Sequence, residues 1–160
     1  MEIRKSNRND LDKILRVYES ARQYMLEHGN PSQWIGGYPK ENIIQLDIEN
    51  CHHYICVEDD HIGGCFAFIE GEDSTYKEIF KGKWLNNDPY AVIHRIAVLE
   101  QGKGVGSICI DWCISRCKTI KVDTHKNNIS MQRLLIKKGF QLCGMIYNQW
   151  GDERLAFHKV

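Results

Sequence analysis

The sequence predicts a mixed α/β fold, in the α+β sense, with a central mixed and mostly antiparallel sheet, and three observations predict it. Apolar runs of strand length alternate with amphipathic helical runs along all 160 residues. One strand–glycine turn–helix–strand unit lies in the middle, over residues 91–123, and such a unit pairs its strands in parallel through a right-handed crossover. Hairpin-like pairs flank that unit on both sides, so the other pairings are antiparallel. The order is β-α-α-β-β-β-α-β-α-β-β, which gives six to seven strands and about four helices. No linker or repeat interrupts it, and residues 1–160 are expected to form a single domain, long enough to bury a sizeable core.

Each element has a local reason. Glu2–Lys5 reads as a short first strand. Asn7 or Asn9 then caps a helix whose Leu11, Ile14, Leu15, Tyr18, Ala21 and Met25 share one face, and Gly29-Asn30-Pro31 stops it. Residues 32–39, Ser-Gln-Trp-Ile-Gly-Gly-Tyr-Pro, form an aromatic-rich loop before a second short helix through Ile43, Ile44, Leu46 and Ile48. His53–Glu58 and Gly63–Ile69 read as a hairpin turning at Asp59-Asp60-His61. Residues 72–89 are polar, with Tyr76, Ile79, Phe80 and Trp84 interspersed, and are expected at the surface as a turn of helix. A strand at 91–99, a helix at 105–117, a strand at 119–123, a helix at about 128–138 and strands at 140–147 and 154–159 complete the chain.

Composition narrows the function. Hydrophobic residues at 42% and charged residues at 26% are those of a soluble globular protein. A formal net charge of zero argues against a nucleic-acid binder. No apolar run reaches membrane-spanning length and residues 1–20 carry charges throughout, so neither a membrane segment nor a signal peptide is expected. Seven cysteines, an odd number scattered through the elements, suit free thiols in the reducing cytoplasm.

The chemistry concentrates in Gln101-Gly102-Lys103-Gly104-Val105-Gly106-Ser107, between the strand at 91–99 and the following helix. Alternating glycines let the backbone turn sharply and let a ligand approach closely. The helix that follows presents amide N–H groups without intrahelical partners, a cradle for phosphate or pyrophosphate. A nucleotide P-loop fails on spacing, since Lys103 lies between glycines. A dinucleotide fingerprint, with Asp123 as the acidic residue on the next strand, fits better, but only 37 residues follow Asp123 and they read as a helix and an antiparallel pair. A turn that uses glycine for geometry alone is a further reading.

Gln101-x-x-Gly104-x-Gly106, after the strand Ile96-Ala97-Val98, resembles the Q/R-x-x-G-x-G/A motif of the GNAT superfamily of acyl-CoA-dependent N-acetyltransferases. Asn128-x-x-Met131-x-x-Leu134-Leu135-x-x-x-Gly139-Phe140 is similar to the second signature of that family, N-x-x-A-x-x-L-Y-x-x-x-G-F. The two segments stand in the family's order and the likeness covers essentially the whole chain. Trp34…Tyr38-Pro39, Val122-Asp123-Thr124-His125 and Arg154-Leu155-Ala156 look like a bacterial subgroup of that family.

The resemblance implies an N-acetyltransferase that takes the acetyl group from acetyl-CoA and passes it to a primary amine of a small molecule or peptide, by direct attack in a ternary complex. It implies a splayed parallel strand pair, with the pantetheine arm along the backbone of Ile96, Ala97 and Val98 and the pyrophosphate on the amides of Gly102, Lys103, Gly104, Val105, Gly106 and Ser107. Asn128 and Met131 line the far side of the cofactor, and Gln101 belongs to the same motif. Lys103 either adds a charge contact or is a solvated surface lysine. The Val98 amide is the candidate donor to the oxyanion. His94 is the candidate general base, on the face of Ile96 and Val98 if a period of two holds; a hydrogen-bonded core histidine is the other reading. Asp123 and His125 stand second, against a turn cap and a solvated imidazole.

For the acceptor, the resemblance points to the loop around Trp34 and Tyr38, with His125 beside it; the aromatics either wall a pocket or plug a long loop. Glu27 and Glu70 are acidic residues that do not rank. Leu135 stands where the family often has the tyrosine that protonates the leaving thiolate, and Tyr147 is a substitute on the next strand. That departure keeps a non-catalytic acyl-CoA-binding or sensing domain as the alternative, with a dinucleotide-binding oxidoreductase behind it. Edge strands in the family pair into dimers, so a homodimer is allowed. No metal is expected: Cys51-His52-His53-x-x-Cys56 alternates across a strand, and Cys109, Cys113 and Cys117 form a helical stripe of packing thiols.

Overall fold

The computed structural model describes residues 1–160. The strands are β1 (Glu2–Lys5), β2 (His53–Glu58), β3 (His61–Glu70), β4 (Ala91–Val98), β5 (Ile120–Thr124), β6 (Gln141–Tyr147) and β7 (Glu153–Lys159). The helices are α1 (Leu11–Glu27), α2 (Glu41–Glu49), α3 (Val105–Arg116) and α4 (Ile129–Lys137). One seven-stranded sheet runs in the order β1-β2-β3-β4-β5-β7-β6, and its only parallel pair is β4 with β5. The predicted fold class is the one observed, with boundaries displaced by a residue or two.

Local chemistry explains where α1 begins. The Asn7 side chain accepts from the Asn9 amide, and Asp10 reaches back to the Asn7 amide, so a capping box starts a short 3₁₀ turn that runs into the helix. Arg4 of β1 grips Asp10 with two hydrogen bonds of 2.9 Å, tying that turn to the sheet.

Both faces of the sheet are covered. Ile14, Val17, Tyr18 and Ala21 of α1 and Ile44 and Ile48 of α2 pack on Ile55, Ile62, Cys65 and Ala97. On the other face Cys109, Ile110 and Cys113 of α3 and Leu135 of α4 pack on Phe66, Phe68, Ile93, Ile120, Val122 and Phe157. Cys109 and Cys113 thus serve as core thiols. The histidine–cysteine run near β2 is divided in the same way: His53 faces Ser6 and Tyr18, whereas Cys56 packs with the α3 cluster.

Residues 71–90 differ from expectation. They hold one 3₁₀ turn, Ser74–Tyr76, and a bridge in which Phe80 and Met145 exchange two backbone hydrogen bonds of 2.8 Å. Tyr76 is not at the surface: it is 1% exposed and packs on Val92, Ile146 and Ala156. The polar run is a strap anchored by Tyr76, whose burial the surrounding polarity conceals.

The parallel pair determines the rest of the architecture. β4 pairs with β5 at Ala91–Ile120 and Val92–Lys121 and then parts from it. On its other edge β4 carries a bulge, since Arg95 and Ile96 stand opposite Phe66 alone. Arg95 has φ +52°, a left-handed conformation uncommon outside glycine. The bulge reverses the alternation, so Ile93, Ile96 and Val98 face the α3 cluster while Val92 packs on the strap side. His94 follows Val92, and it does not share the face of Ile96 and Val98; the strict period of two fails at Arg95.

His53 and His158 are fully buried, and burial first, then the charges of Arg95 and Lys121 respectively, push each pKa down to about 4. Both stay neutral in the folded protein but charge at about pH 6.5 when unfolded. Their contribution to stability is full above that pH and disappears as pH falls toward 4. The urea midpoint is expected to fall between pH 7 and pH 4, and His158→Gln to flatten that profile; an unchanged slope contradicts the assignment.

Candidate active site

Two openings meet where β4 and β5 part. A groove of about 290 Å³ is walled by Ile96–Val98, the glycine turn, the start of α3, and Asn128, Ser130, Met131 and Leu134. A cavity of about 480 Å³ lies in the wedge, between Ile93–Ile96 on β4 and Val122–Thr124 on β5. They share the lining residues Met25, Ile96, Asn128 and Met131, so they adjoin there.

The groove is prepared for an anion. Gly102 and Gly104 both have φ +77°, and a Cβ on either would project into open space. The first backbone hydrogen bond of α3 runs from Ile108 to the Gly104 carbonyl at 3.1 Å, so the amides of Val105, Gly106 and Ser107 have no intrachain acceptor. With the helix dipole behind them, they suit a pyrophosphate without needing net charge. Gln101 lines the groove, whereas Lys103 is exposed on the turn and does not. Leu99 donates to Gly63 on β3 at 2.9 Å, so the preceding amide, of Val98, faces the groove side. The Asn128 side chain accepts from the Met131 amide at 3.1 Å, capping α4, and donates to Gln33 at 2.9 Å. These residues fit coenzyme A: orphaned amides at one end and a strand edge free beyond Val92 at the other.

The cavity gathers titratable groups from separate elements. His94 Nε2 lies 2.7 Å from the Asp73 carboxylate, and the Thr75 amide and hydroxyl also donate to Asp73 at 2.9 and 2.6 Å. Burial opposes the Asp73 charge, but the hydrogen bonds from His94 and Thr75 outweigh it and hold the carboxyl well below its usual range. With Nε2 facing a carboxylate, the proton sits on Nε2 in the neutral ring and Nδ1 carries the lone pair. Trp34, Tyr38 and Trp150 make the aromatic wall, with Tyr38 edge-on to Trp150 at 5.1 Å and to Trp34 at 6.3 Å.

A latch behind that wall fixes its position. Arg95 donates to Asp47 of α2 at 2.8 and 2.9 Å and to the Tyr38 hydroxyl at 3.3 Å, and its carbonyl accepts from Tyr18 at 2.9 Å. The bulge therefore holds the loop of residues 32–39 and α2 together.

The other expected residues either lie outside the cavity or are already engaged within it. His125 borders a second opening of about 320 Å³ with Lys126 and Asp152, and its Nδ1 accepts from the Asn127 amide at 3.1 Å. It is a turn cap, and the opening it borders shares only Arg154 with the main cavity. Asp123 lines the main cavity, accepts the Tyr76 hydroxyl at 2.6 Å and faces Arg154 at 3.9 Å. It is spent on the strap, so it is not free for a ribose, and the dinucleotide reading loses its acidic partner. Tyr147 packs on Phe80 at 5.2 Å, Leu135 is fully buried in the core, and neither lines the cavity. Glu27 and Glu70 are outside it as well.

Asp73, Asp47, Arg95 and Trp150 were invisible to sequence reasoning. Only Trp150 had a signal, in the turn Asn148-Gln-Trp-Gly151 between two strands. Asp47→Ala leaves the buried Arg95 guanidinium unpaired and is expected to cost about 3–5 kcal/mol, lowering Tm by roughly 6–20 °C. A Tm within 2 °C of wild type, by about the same scale, contradicts the latch.

Comparison with known proteins agrees with this geometry. The family model described as "Acetyltransferase (GNAT) family" matches residues 14–140. A GNAT-family acetyltransferase of Streptococcus agalactiae 2603 is 33% identical, with TM-score 0.91 over 99% of this chain and 94% of that one. A Staphylococcus aureus MU50 protein, proposed to be an acetyltransferase, is 25% identical with TM-score 0.75 over 99% and 98%. A ribosomal-protein-alanine N-acetyltransferase of Brucella melitensis, 15% identical, shares the fold at TM-score 0.68 over 100% and 99%. A search of curated proteins finds no match. No helix is long and apolar enough to cross a membrane. By its fold, its two signature segments and these matches, the chain belongs to the GNAT acetyltransferase family.

Proposed function

We propose that the protein is an acetyl-CoA-dependent N-acetyltransferase, acting in the cytoplasm on a primary amine of a small molecule or peptide by direct attack in a ternary complex. One observation carries this reading: the anion-ready groove and the aromatic cavity adjoin, sharing Ile96, Asn128 and Met131 in their walls. Coenzyme A in the groove presents a thioester to an amine in the cavity, and holding the two together supplies most of the rate.

The residues divide the work. The amides of Val105, Gly106 and Ser107 hold the pyrophosphate, and the β4 edge at Ile96–Val98 holds the pantetheine arm. The Val98 amide stabilises the oxyanion. His94 Nδ1 takes the amine proton, with Asp73 fixing the tautomer and stabilising the imidazolium that results. Trp34, Tyr38 and Trp150 form the acceptor wall, where an aromatic face attracts an ammonium group. The buried Leu135 supplies no proton, and a non-catalytic acyl-CoA sensor is the alternative that turnover must exclude.

Calorimetry with acetyl-CoA is expected to show saturable binding that Gly104→Arg abolishes, since Gly104 lines the groove and its φ of +77° disfavours any side chain. Thiol release is then screened against amino acids, aliphatic diamines, amino sugars and peptide N-termini. His94→Gln is expected to lower kcat about 10²–10⁴-fold with acetyl-CoA affinity retained. Binding without turnover of any amine makes the protein a sensor, and an unaltered kcat in His94→Gln assigns the base elsewhere.

A further inference from the structure

Thr124 is the last residue of β5, on the flank of the wedge where that strand leaves β4. It is 1% exposed, its Oγ1 has no hydrogen-bond partner, and it borders the cavity. Alternation along β5 places Thr124 on the face of Ile120 and Val122, which pack in the cluster with α3 and α4. Asp123 is on the opposite face, spent on Tyr76. Thr124 therefore stands on the sheet face that α3 and α4 cover, while lining the same cavity as His94 and Asp73, which approach it from the strap side.

An unsatisfied buried hydroxyl gives up its hydration with nothing in return, and valine has nearly the same shape. A cost of that kind in the wall of a reaction cavity marks a group whose partner arrives with the substrate. Leu135 is buried in the core and has no proton to give, so none of the residues expected from the motif can stabilise the leaving sulfur.

The geometry points to Thr124 as a further catalytic residue: its hydroxyl donates a hydrogen bond to the coenzyme A sulfur as the thioester breaks. The inference rests on the transferase reading above. In that step the amine nitrogen bonds to the carbonyl carbon, the C–S bond breaks with its electron pair kept by sulfur, and His94 takes the amine proton. Thr124 keeps its own proton, because an alkyl hydroxyl is too weak an acid to give it up. Its dipole opposes the charge gathering on sulfur. The thiolate takes its proton from solvent on leaving.

Thr124→Val and Thr124→Ser test this, with hydroxylamine as an acceptor small enough for any cavity. Tm, acetyl-CoA Kd by calorimetry, and kcat by thiol release are measured together. For Thr124→Val the account predicts a Tm equal to or above wild type, a Kd within about twofold and a kcat lower by about tenfold or more, while Thr124→Ser stays within about threefold of wild type. A valine variant with wild-type kcat overturns the inference. So does a raised KM for hydroxylamine with kcat intact, which makes the hydroxyl an acceptor contact. Wild-type protein that binds acetyl-CoA but releases no thiol with hydroxylamine or with any amine of the screen above overturns the transferase reading, and this inference with it.

Discussion

The whole site depends on a ladder that stops early. β4 and β5 are paired for two residues and then diverge, and every functional group identified lies in or beside the space they leave. Hydrogen bonding favours continuing the ladder, so something must hold the strands apart. The bulge at Arg95 bends β4 on its far edge, and the left-handed conformation there persists because its side chain and carbonyl are both anchored. Asp47 holds the guanidinium and Tyr18 the carbonyl, and Tyr18 is in turn beside His53, with Ser6 beyond. A chain of polar contacts from Ser6, just past β1, through His53 of β2 and Tyr18 of α1 thus ends at one strained residue, which Asp47 of α2 holds from its other end.

That arrangement gives β4 two uses at once. One edge completes the sheet with β3, and the other keeps free backbone groups for a ligand that lies alongside as a strand would. The glycine turn follows directly, so the same element that offers a strand edge also aims the orphaned amides of α3. The strap of residues 71–90 supplies the remaining partner. Its burial of Tyr76 and its bridge to β6 bring Asp73 onto His94, and Trp84 and Tyr90 close over the side chain of Lys121 at 4.3 and 3.9 Å. Polar groups in the wedge are held by neighbours on different elements, which favours a preorganised site over one assembled on binding.

Much of this was legible in the sequence. Periodicity placed all seven strands and four helices, because hydrophobic spacing is a local property and these elements bury one face each. The glycine turn and the Asn128–Phe140 segment were legible for the same reason, since turn geometry and helix capping are written in adjacent residues. The bulge was not. Ile93-His94-Arg95-Ile96 reads as an unbroken strand, and the positive φ of Arg95 is imposed by Asp47 and Tyr18, 48 and 77 residues away. A period of two puts His94 on the face of Ile96 and Val98, whereas the bulge leaves it on the strap side, where it meets Asp73 and lines the cavity. His125 follows β5 by one residue, and the turn there leaves it lining a second opening. Long-range contacts decide which neighbours of a motif join the site.

The central claim is that the free edge of β4 and the start of α3 together bind coenzyme A. Amide hydrogen exchange measured residue by residue, with and without acetyl-CoA, tests it most directly. The account predicts slowed exchange at Val105, Gly106 and Ser107 and along Ile96–Val98 when acetyl-CoA is added, with the buried helix α1 unchanged. Exchange at those amides that is indifferent to saturating acetyl-CoA, or protection confined to another surface, would contradict it.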